Sequence, residues 1–154
     1  MSARPRSGLD GIVISAATAH DLDAIHALET AAFPAPWRRE FFESELRGSG
    51  RFTLTAKRRG MLVGYLFSMW YFDEMHVNKI AVEEHERRQG IAHELMNRCL
   101  AFARDHGIKS VALEVRKSNA GAQEFYRTLD FEALYLRPRY YPDGESAVVM
   151  IRKV

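Results

Sequence analysis

Several features that would place this chain in a particular class of protein are missing from its sequence. Cys99 is its single cysteine, so no disulfide can form within the chain and a reducing cytoplasm is the expected compartment. No apolar run approaches the roughly 20 residues that span a membrane, and the N-terminus lacks the apolar core of a secretion signal. The net charge of +2 is too small to indicate binding to nucleic acid or to a membrane surface. We therefore expect no nucleic-acid or membrane partner.

Motifs for metal ions are also missing. The six histidines show neither the H-E-x-x-H pattern nor the spacing of a zinc finger, so no metal is expected. Cys99 falls on the apolar side of a predicted helix, where a core position is a better interpretation than a nucleophile.

The 154 residues suffice for one domain with its own core, and 47% apolar with 27% charged residues is ordinary for a globular chain. Residues 1–10 lack apolar periodicity and are predicted to be a flexible tail, with the single domain at 11–154. Periodicity and turn residues predict strands at 11–16, 52–56, 61–70, 71–82, 110–116, 131–136 and 146–151, and helices at 18–28, 38–46, 90–103 and 120–129. This order predicts an α/β domain whose central strands are covered by helices on both faces.

Three local features refine these predictions. Thr18 followed by Asp21 resembles a capping box that starts the first helix. In the second helix, Phe41 and Phe42 are both predicted to face inward. Lys57-Arg-Arg-Gly60 is predicted to be a hairpin turn.

A strand that passes through a basic turn into a helix occupies residues 77–103. The free N–H groups of the first helical turn and the helix dipole make such a turn a natural anion site. Gly90 allows the backbone to approach a ligand closely, and Arg87 and Arg88 add positive charge. The turn is neither a P-loop nor a G-x-G-x-x-G motif. It therefore either cradles a pyrophosphate or is a plain turn with two solvated arginines.

Glu114 interrupts an otherwise apolar strand and is expected to be partly desolvated. Desolvation raises the pKa of a carboxyl, which would move Glu114 toward the strength of a general base near pH 7. The alternative is an ion pair with Arg116, which shares its strand face. The sequence pattern does not decide between them.

The other polar candidates each have a simple structural interpretation. Tyr126 belongs to an apolar helical stripe, which usually means a core residue, although a catalytic role is open. Asn119 stands at a helix start, where a cap is commoner than a ligand contact. Tyr140 and Tyr141 lie between two prolines and either line a groove or cover one end of a sheet.

Several motifs together resemble the GNAT superfamily of N-acetyltransferases, in particular the ribosomal-protein-alanine (RimI-type) branch. Residues 87–92, R-R-Q-G-I-A, fit the acetyl-CoA motif Q/R-x-x-G-x-G/A after an I-A-V strand. More specific are L-E-V-R-K-S-N-A-G-A-Q-E-F-Y at 113–126, R-P-R-Y-Y-P-D-G-E at 137–145 and F-P-A-P-W at 33–37. The resemblance extends over nearly all of residues 12–150.

The resemblance implies a GNAT fold, with a single mixed, mostly antiparallel sheet of six to seven strands splayed at its centre. It also implies an enzyme that uses acetyl-CoA. Glu114 matches the general base of the family and Tyr126 its general acid, while Trp37, Tyr140 and Tyr141 are expected to contact the acceptor. The residues expected to contact acetyl-CoA are Ile80, Ala81, Val82, Arg87, Arg88, Gln89, Gly90, Ile91, Ala92, His93 and Asn119.

The chain departs from the family pattern at two points. Leu129-Asp130-Phe131 replaces the common L-G-F. Glu145-Ser146-Ala147 replaces E-D-A, which puts in doubt a substrate contact from the acidic position that Ser146 occupies here. The resemblance implies acetylation of a protein N-terminus, with a ribosomal protein as one candidate acceptor, by a monomer or weak dimer. A lysine or small-molecule acceptor, or a non-catalytic acyl-CoA-binding module, are the alternatives.

Overall fold

Strands and helices follow one another along the chain in the predicted order. The computed structural model describes residues 9–154. Its strands are β1 (Ile12–Ala16), β2 (Arg51–Arg58), β3 (Met61–Tyr71), β4 (Glu74–Val82), β5 (Ser110–Arg116), β6 (Glu132–Arg137) and β7 (Ala147–Lys153). Its α-helices are α1 (Leu22–Ala32), α2 (Arg39–Arg47), α3 (Ile91–Asp105) and α4 (Ala120–Thr128), with short 3-10 turns at Ala19–Asp21 and Glu84–Glu86.

All seven strands belong to one mixed sheet, in the order β1-β2-β3-β4-β5-β7-β6. The pairs β1/β2, β5/β7 and β6/β7 are antiparallel, whereas β4 and β5 are parallel from Glu74↔Ser110 to Val77↔Leu113. Helices flank this sheet, so the expected α/β class with a single, mostly antiparallel sheet is confirmed.

Two-residue turns join β2 to β3 and β3 to β4. Arg59 and Gly60 both have positive φ, 53° and 76°, as a type I′ hairpin turn requires. The predicted hairpin turn is therefore confirmed at these two residues. The strand predicted at 71–82 begins only at Glu74, because Phe72 (φ 52°) and Asp73 form the next turn.

The N-terminal predictions have mixed outcomes. The capping box of Thr18 and Asp21 is present, although the first helical turn is 3-10 rather than α. Residues 1–8 of the predicted tail lie outside the described residues. Leu9 accepts a hydrogen bond from the N–H of Ile12 at 3.0 Å, which closes a turn before β1.

The chain groups into two compact units. The first comprises the described residues through Phe67 together with Lys79–Arg98. Its core includes Phe42, whose ring meets Tyr65 and Phe67 edge-on at centroid distances of 5.7 and 5.0 Å. Phe42 is fully buried, but Phe41 is 59% exposed, so the prediction that both face inward is wrong for Phe41. Adjacent helical residues point about 100° apart, and only one of these two rings meets the core.

The second unit comprises Ser68–Asn78 and Cys99–Val154. Along β5, Val111, Leu113 and Val115 are buried, and the residues between them are partly exposed. Cys99 is fully buried with its Sγ 3.4 Å from the Sδ of Met75. Burial raises the pKa of the Cys99 thiol to about 12, so the core interpretation of this cysteine is confirmed.

The contrast between Phe41 and Phe42 predicts unequal effects of two matched substitutions. Phe42→Ala should lower the free energy of unfolding by about 3–5 kcal/mol, because it removes a fully buried ring and leaves a cavity. Phe41→Ala should cost less than about 1 kcal/mol, because that ring is mostly solvated. Urea unfolding of both variants measures the difference, and equal losses would contradict this description of the core.

Candidate active site

The segment between β4 and α3 forms a turn at the start of a 15-residue helix. Gly90 has φ +87°, a conformation in which any side chain would be strained. The first helical hydrogen bond runs from the N–H of Glu94 to the carbonyl of Gly90 at 3.0 Å, so the N–H groups of residues 91–93 have no acceptor within the helix. These N–H groups and the exposed Arg88 fit the chemistry of a pyrophosphate group.

Other side chains of this turn are engaged in holding its shape. The Nε of Arg87 donates to the carbonyl of Val82 at 3.1 Å. From β2, Arg58 donates to Glu86 at 3.1 Å and to Gln89 at 3.3 Å. Arg87 and Gln89 therefore help to fix the shape of the turn, and their contact with a coenzyme stays a prediction. Sequence patterns gave no sign of Arg58, because its partners lie about 30 positions away on another element.

The strand before the turn depends on a close approach of β3. Ala81 and Val82 are buried, and Ile80 is half-buried. A Cβ added at Gly64 would lie 3.0 Å from the carbonyl oxygen of Ala81, which is tighter than most real Cβ contacts and would require the backbone of β4 to shift by a few tenths of an ångström. Gly64 therefore lets β3 approach the part of β4 that is expected to offer its backbone to the coenzyme.

Glu114 of β5 lies between two basic side chains. His76 Nε2 is hydrogen-bonded to its Oε2, and Arg137 Nη1 donates to its Oε1 at 3.1 Å. The Glu114 side chain is only 10% exposed. Burial raises the pKa of its carboxyl, but the hydrogen bonds and charges of His76 and Arg137 outweigh burial and leave the pKa below the ordinary 4.5. The predicted upward shift is therefore wrong.

Arg116, which the sequence offered as an ion-pair partner for Glu114, binds other carboxylates. Its Nη1 donates to Asp143 at 2.8 Å and to Glu145 at 3.0 Å. Its guanidinium carbon lies 4.1 Å from the ring centre of Tyr141. Arg116 therefore fixes the segment between β6 and β7, and the Glu114–Arg116 alternative is wrong.

His76 is a member of this cluster that sequence patterns did not single out, because its spacing matched no metal motif and its partner Glu114 is 38 positions away. Its Nδ1 lies 2.6 Å from the Oδ1 of Asn78. Burial lowers the pKa of His76, but the hydrogen bonds to Glu114 and Asn78 and the charge of Glu114 raise it above the ordinary 6.5. A ring with an oxygen at each nitrogen is most stable as the imidazolium.

One buried tyrosine, Tyr126, and one half-buried tyrosine, Tyr141, belong to the same unit as Glu114. Tyr126 is 8% exposed, and its ring meets that of Phe131 edge-on at 5.8 Å, so the ring packs in the core as its apolar helical stripe predicted, and a catalytic role of its hydroxyl stays a prediction. Burial raises the pKa of Tyr126 to about 12, with a smaller contribution from Tyr141. Burial likewise raises the pKa of Tyr141 to about 12, while Tyr140 is 46% exposed. The phenols of Tyr126 and Tyr141 therefore both carry a proton at neutral pH.

The two remaining predicted contacts, Asn119 and Trp37, each have a structural partner. The Oδ1 of Asn119 accepts from the N–H of Ala122 at 3.0 Å, which confirms its interpretation as a helix cap. Trp37 belongs to the first unit, and its ring lies 5.4 Å from that of Phe42. Coenzyme contact by Asn119 and acceptor contact by Trp37 stay predictions.

The candidate side chains thus form two groups, the turn before α3 in the first unit and the Glu114 cluster in the second. Residues 9–154 contain no group of three His, Cys, Asp or Glu side chains arranged to hold a metal ion. Within the same described part of the chain, no helix combines the length and apolar character needed to cross a bilayer.

Comparison with known proteins identifies the family. The model of the acetyltransferase (GNAT) family matches residues 22–131. The [ribosomal protein bS18]-alanine N-acetyltransferase of Escherichia coli is 31% identical over 140 residues, covering 89% of this chain and 94% of that protein. An uncharacterized protein of Mycobacterium leprae is 36% identical over 149 residues, which are 92% of this chain but only 41% of that longer protein.

A solved structure agrees with these relatives. The crystal structure of the ribosomal-protein-S18-alanine N-acetyltransferase from Escherichia coli superimposes with a TM-score of 0.87 at 29% identity. The match covers 93% of this chain and 94% of that one. The chain therefore belongs to the acetyltransferase (GNAT) family and is an acetyl-CoA-dependent N-acetyltransferase.

Proposed function

We propose that this enzyme acetylates the α-amine of a protein N-terminus in the cytoplasm, with a ribosomal protein as the first candidate acceptor. The main observation that supports the proposal is the Glu114 carboxylate, which is nearly buried and is held ionised by His76 and Arg137. The name of the Escherichia coli relative, which specifies the alanine of ribosomal protein bS18, supports the choice of acceptor.

The base strength of Glu114 favours an α-amine over a lysine. At pH 7 an α-amine with pKa about 7.8 is roughly 14% neutral, whereas a lysine with pKa about 10.4 is roughly 0.04% neutral. The difference corresponds to about 3.5 kcal/mol. Because His76 and Arg137 lower the pKa of Glu114, its carboxylate is a weak base. Such a base suffices for an amine that is already partly neutral.

The proposed reaction is direct acetyl transfer in a ternary complex. Acetyl-CoA supplies the acetyl group as a thioester, and the amine nitrogen bonds to the acetyl carbon as the carbon–sulfur bond breaks. Glu114 accepts the proton that the amine loses, and Tyr126 gives its phenolic proton to the departing sulfur. Backbone N–H near Val82 stabilises the negative charge that develops on the carbonyl oxygen.

The remaining candidates bind and orient the two substrates in this proposal. The backbone of residues 80–82 accompanies the pantetheine arm, residues 87–93 hold the pyrophosphate, and Asn119 contacts the coenzyme. On the acceptor side, Trp37, Tyr140 and Tyr141 contact the first residues of the polypeptide. Arg116 fixes Tyr141 through the contacts described above.

Mass spectrometry of the products tests the acceptor class. The protein is incubated with acetyl-CoA and two peptides, one with a free N-terminal Ala and an internal Lys and a second that differs only in a blocked N-terminus. We expect acetyl on the free α-amine of the first peptide and none on the second, because only the α-amine is substantially neutral. Acetyl on lysine would move the function to lysine or small amines. Coenzyme binding without any product would favour an acyl-CoA-binding module.

Glu114→Gln tests the proton acceptor. The amide keeps the size of the side chain but cannot take a proton, so kcat should fall about 100-fold, with an unchanged KM for acetyl-CoA. Because the pKa of Glu114 lies below 4.5, the loss should be similar from pH 6 to pH 9. Initial rates at several pH values measure it.

Glu132→Gln provides the control, because Glu132 is an exposed glutamate on β6. It should retain the wild-type rate. If Glu114→Gln turns over at the wild-type rate across this pH range, Glu114 is not the base.

A further inference from the structure

Glu29, near the end of α1, has a fully buried carboxylate that the proposed reaction does not use. Three donors surround it: the hydroxyl of Tyr65, the backbone N–H of Trp37 at 2.9 Å and the Nζ of Lys79 at 3.0 Å. A buried charge is costly unless it is paired and hydrogen-bonded, so this set of donors fits an ionised carboxylate. All four residues belong to the first unit.

The ammonium of Lys79 also contacts two aromatic rings. Its Nζ lies 3.8 Å from the ring centre of Phe33 and 5.1 Å from that of Trp37, both within cation–π range. The Lys79 side chain is only 15% exposed. One buried cation therefore links Glu29 to both ends of the segment 33–37, F-P-A-P-W.

This segment presents a rigid apolar surface. Pro34, Ala35 and Pro36 are exposed, whereas Phe33 and Trp37 are half-buried against the core of the unit. Proline fixes φ, so little conformational entropy is left to lose when a ligand binds. The segment is thus suited to bind a short stretch of polypeptide.

Lys79 also stands close to the proposed acyl site. It directly precedes Ile80 on β4 and lies three residues before Val82, about 10 Å along an extended strand. The proposed function assigns the thioester carbonyl to the Val82 end of β4. A segment held by Lys79 is therefore within reach of an acceptor whose amine reacts there.

We propose that the Glu29–Lys79 ion pair holds segment 33–37 in the conformation that binds the first residues of the acceptor polypeptide. Lys79 is then a positioning residue for acceptor recognition, acting through Phe33 and Trp37 and not on the reacting atoms. This inference rests on the proposed N-terminal acetyltransferase function. It adds a residue that determines acceptor affinity separately from coenzyme affinity.

Lys79→Met tests the inference through the two Michaelis constants. The variant keeps an unbranched side chain but loses the ammonium that joins Glu29 to the aromatic rings. The KM for an N-terminal Ala peptide should rise at least about tenfold, while the KM for acetyl-CoA stays within about twofold. Amide hydrogen exchange at Trp37, whose N–H binds Glu29, should also become at least about tenfold faster.

Lys57→Met is the matched control. Lys57 also binds a buried carboxylate, that of Asp21 at 2.7 Å, but at the opposite end of α1, about 12 Å along the helix from Glu29. Its substitution should leave the acceptor KM unchanged. Lys79→Arg keeps the charge and should return the acceptor KM to within about threefold of wild type.

The double variant Glu29→Gln with Lys79→Met guards against misfolding, because it removes both charges and leaves no unpaired buried carboxylate. Its acceptor KM should stay high. The positioning role would be overturned if Lys79→Met or the double variant kept the wild-type KM for the acceptor peptide. It would also be overturned if the KM for the acceptor and the KM for acetyl-CoA rose equally. Wild-type protein that acetylates no α-amine would instead overturn the proposed function.

Discussion

The Glu114 side chain is only 10% exposed, and two cations from distant parts of the chain keep its carboxylate ionised. The parallel register of β4 and β5 pairs His76 with Ala112, and Glu114 is the next residue on that face of β5. Arg137 reaches the other carboxylate oxygen from the end of β6. The base strength assigned to Glu114, and with it the proposed preference for an α-amine, follows from this pairing.

Glu29 in the first unit and Glu114 in the second are both shielded carboxylates paired with cations, and their accessibility separates the roles proposed for them. Glu29 has no exposed surface, and its oxygens are bound by Tyr65, Trp37 and Lys79, so a substrate has no access to its carboxylate. Glu114 retains some exposure and has a partner, His76, whose own charge titrates. The same cost of burying a charge thus underlies the proposed positioning pair in one unit and the proposed proton acceptor in the other.

The sequence contained enough information to predict the elements but not their pairings. Periodicity and turn residues located β5 at its observed bounds and the hairpin turn at Gly60, because these signals are local. The predicted sign of the pKa shift of Glu114 was wrong. The strand pattern indicates that Glu114 is partly buried, but it does not reveal the contact with His76, which lies 38 positions away in the sequence. Arg116 shares the strand face of Glu114 but is held by Glu145, a partner that no periodicity reveals.

The pKa of Glu114 itself is the most direct test of how this site handles protons. A carbon-13 NMR titration of the glutamate carboxyl groups, with the Glu114 signal assigned by its loss in Glu114→Gln, measures it. We predict a midpoint below 4.5, and a higher midpoint in His76→Gln, because that variant removes one of the two cations. A midpoint above 4.5 in the wild-type protein would show that burial outweighs His76 and Arg137, and would contradict the charge balance proposed for the site.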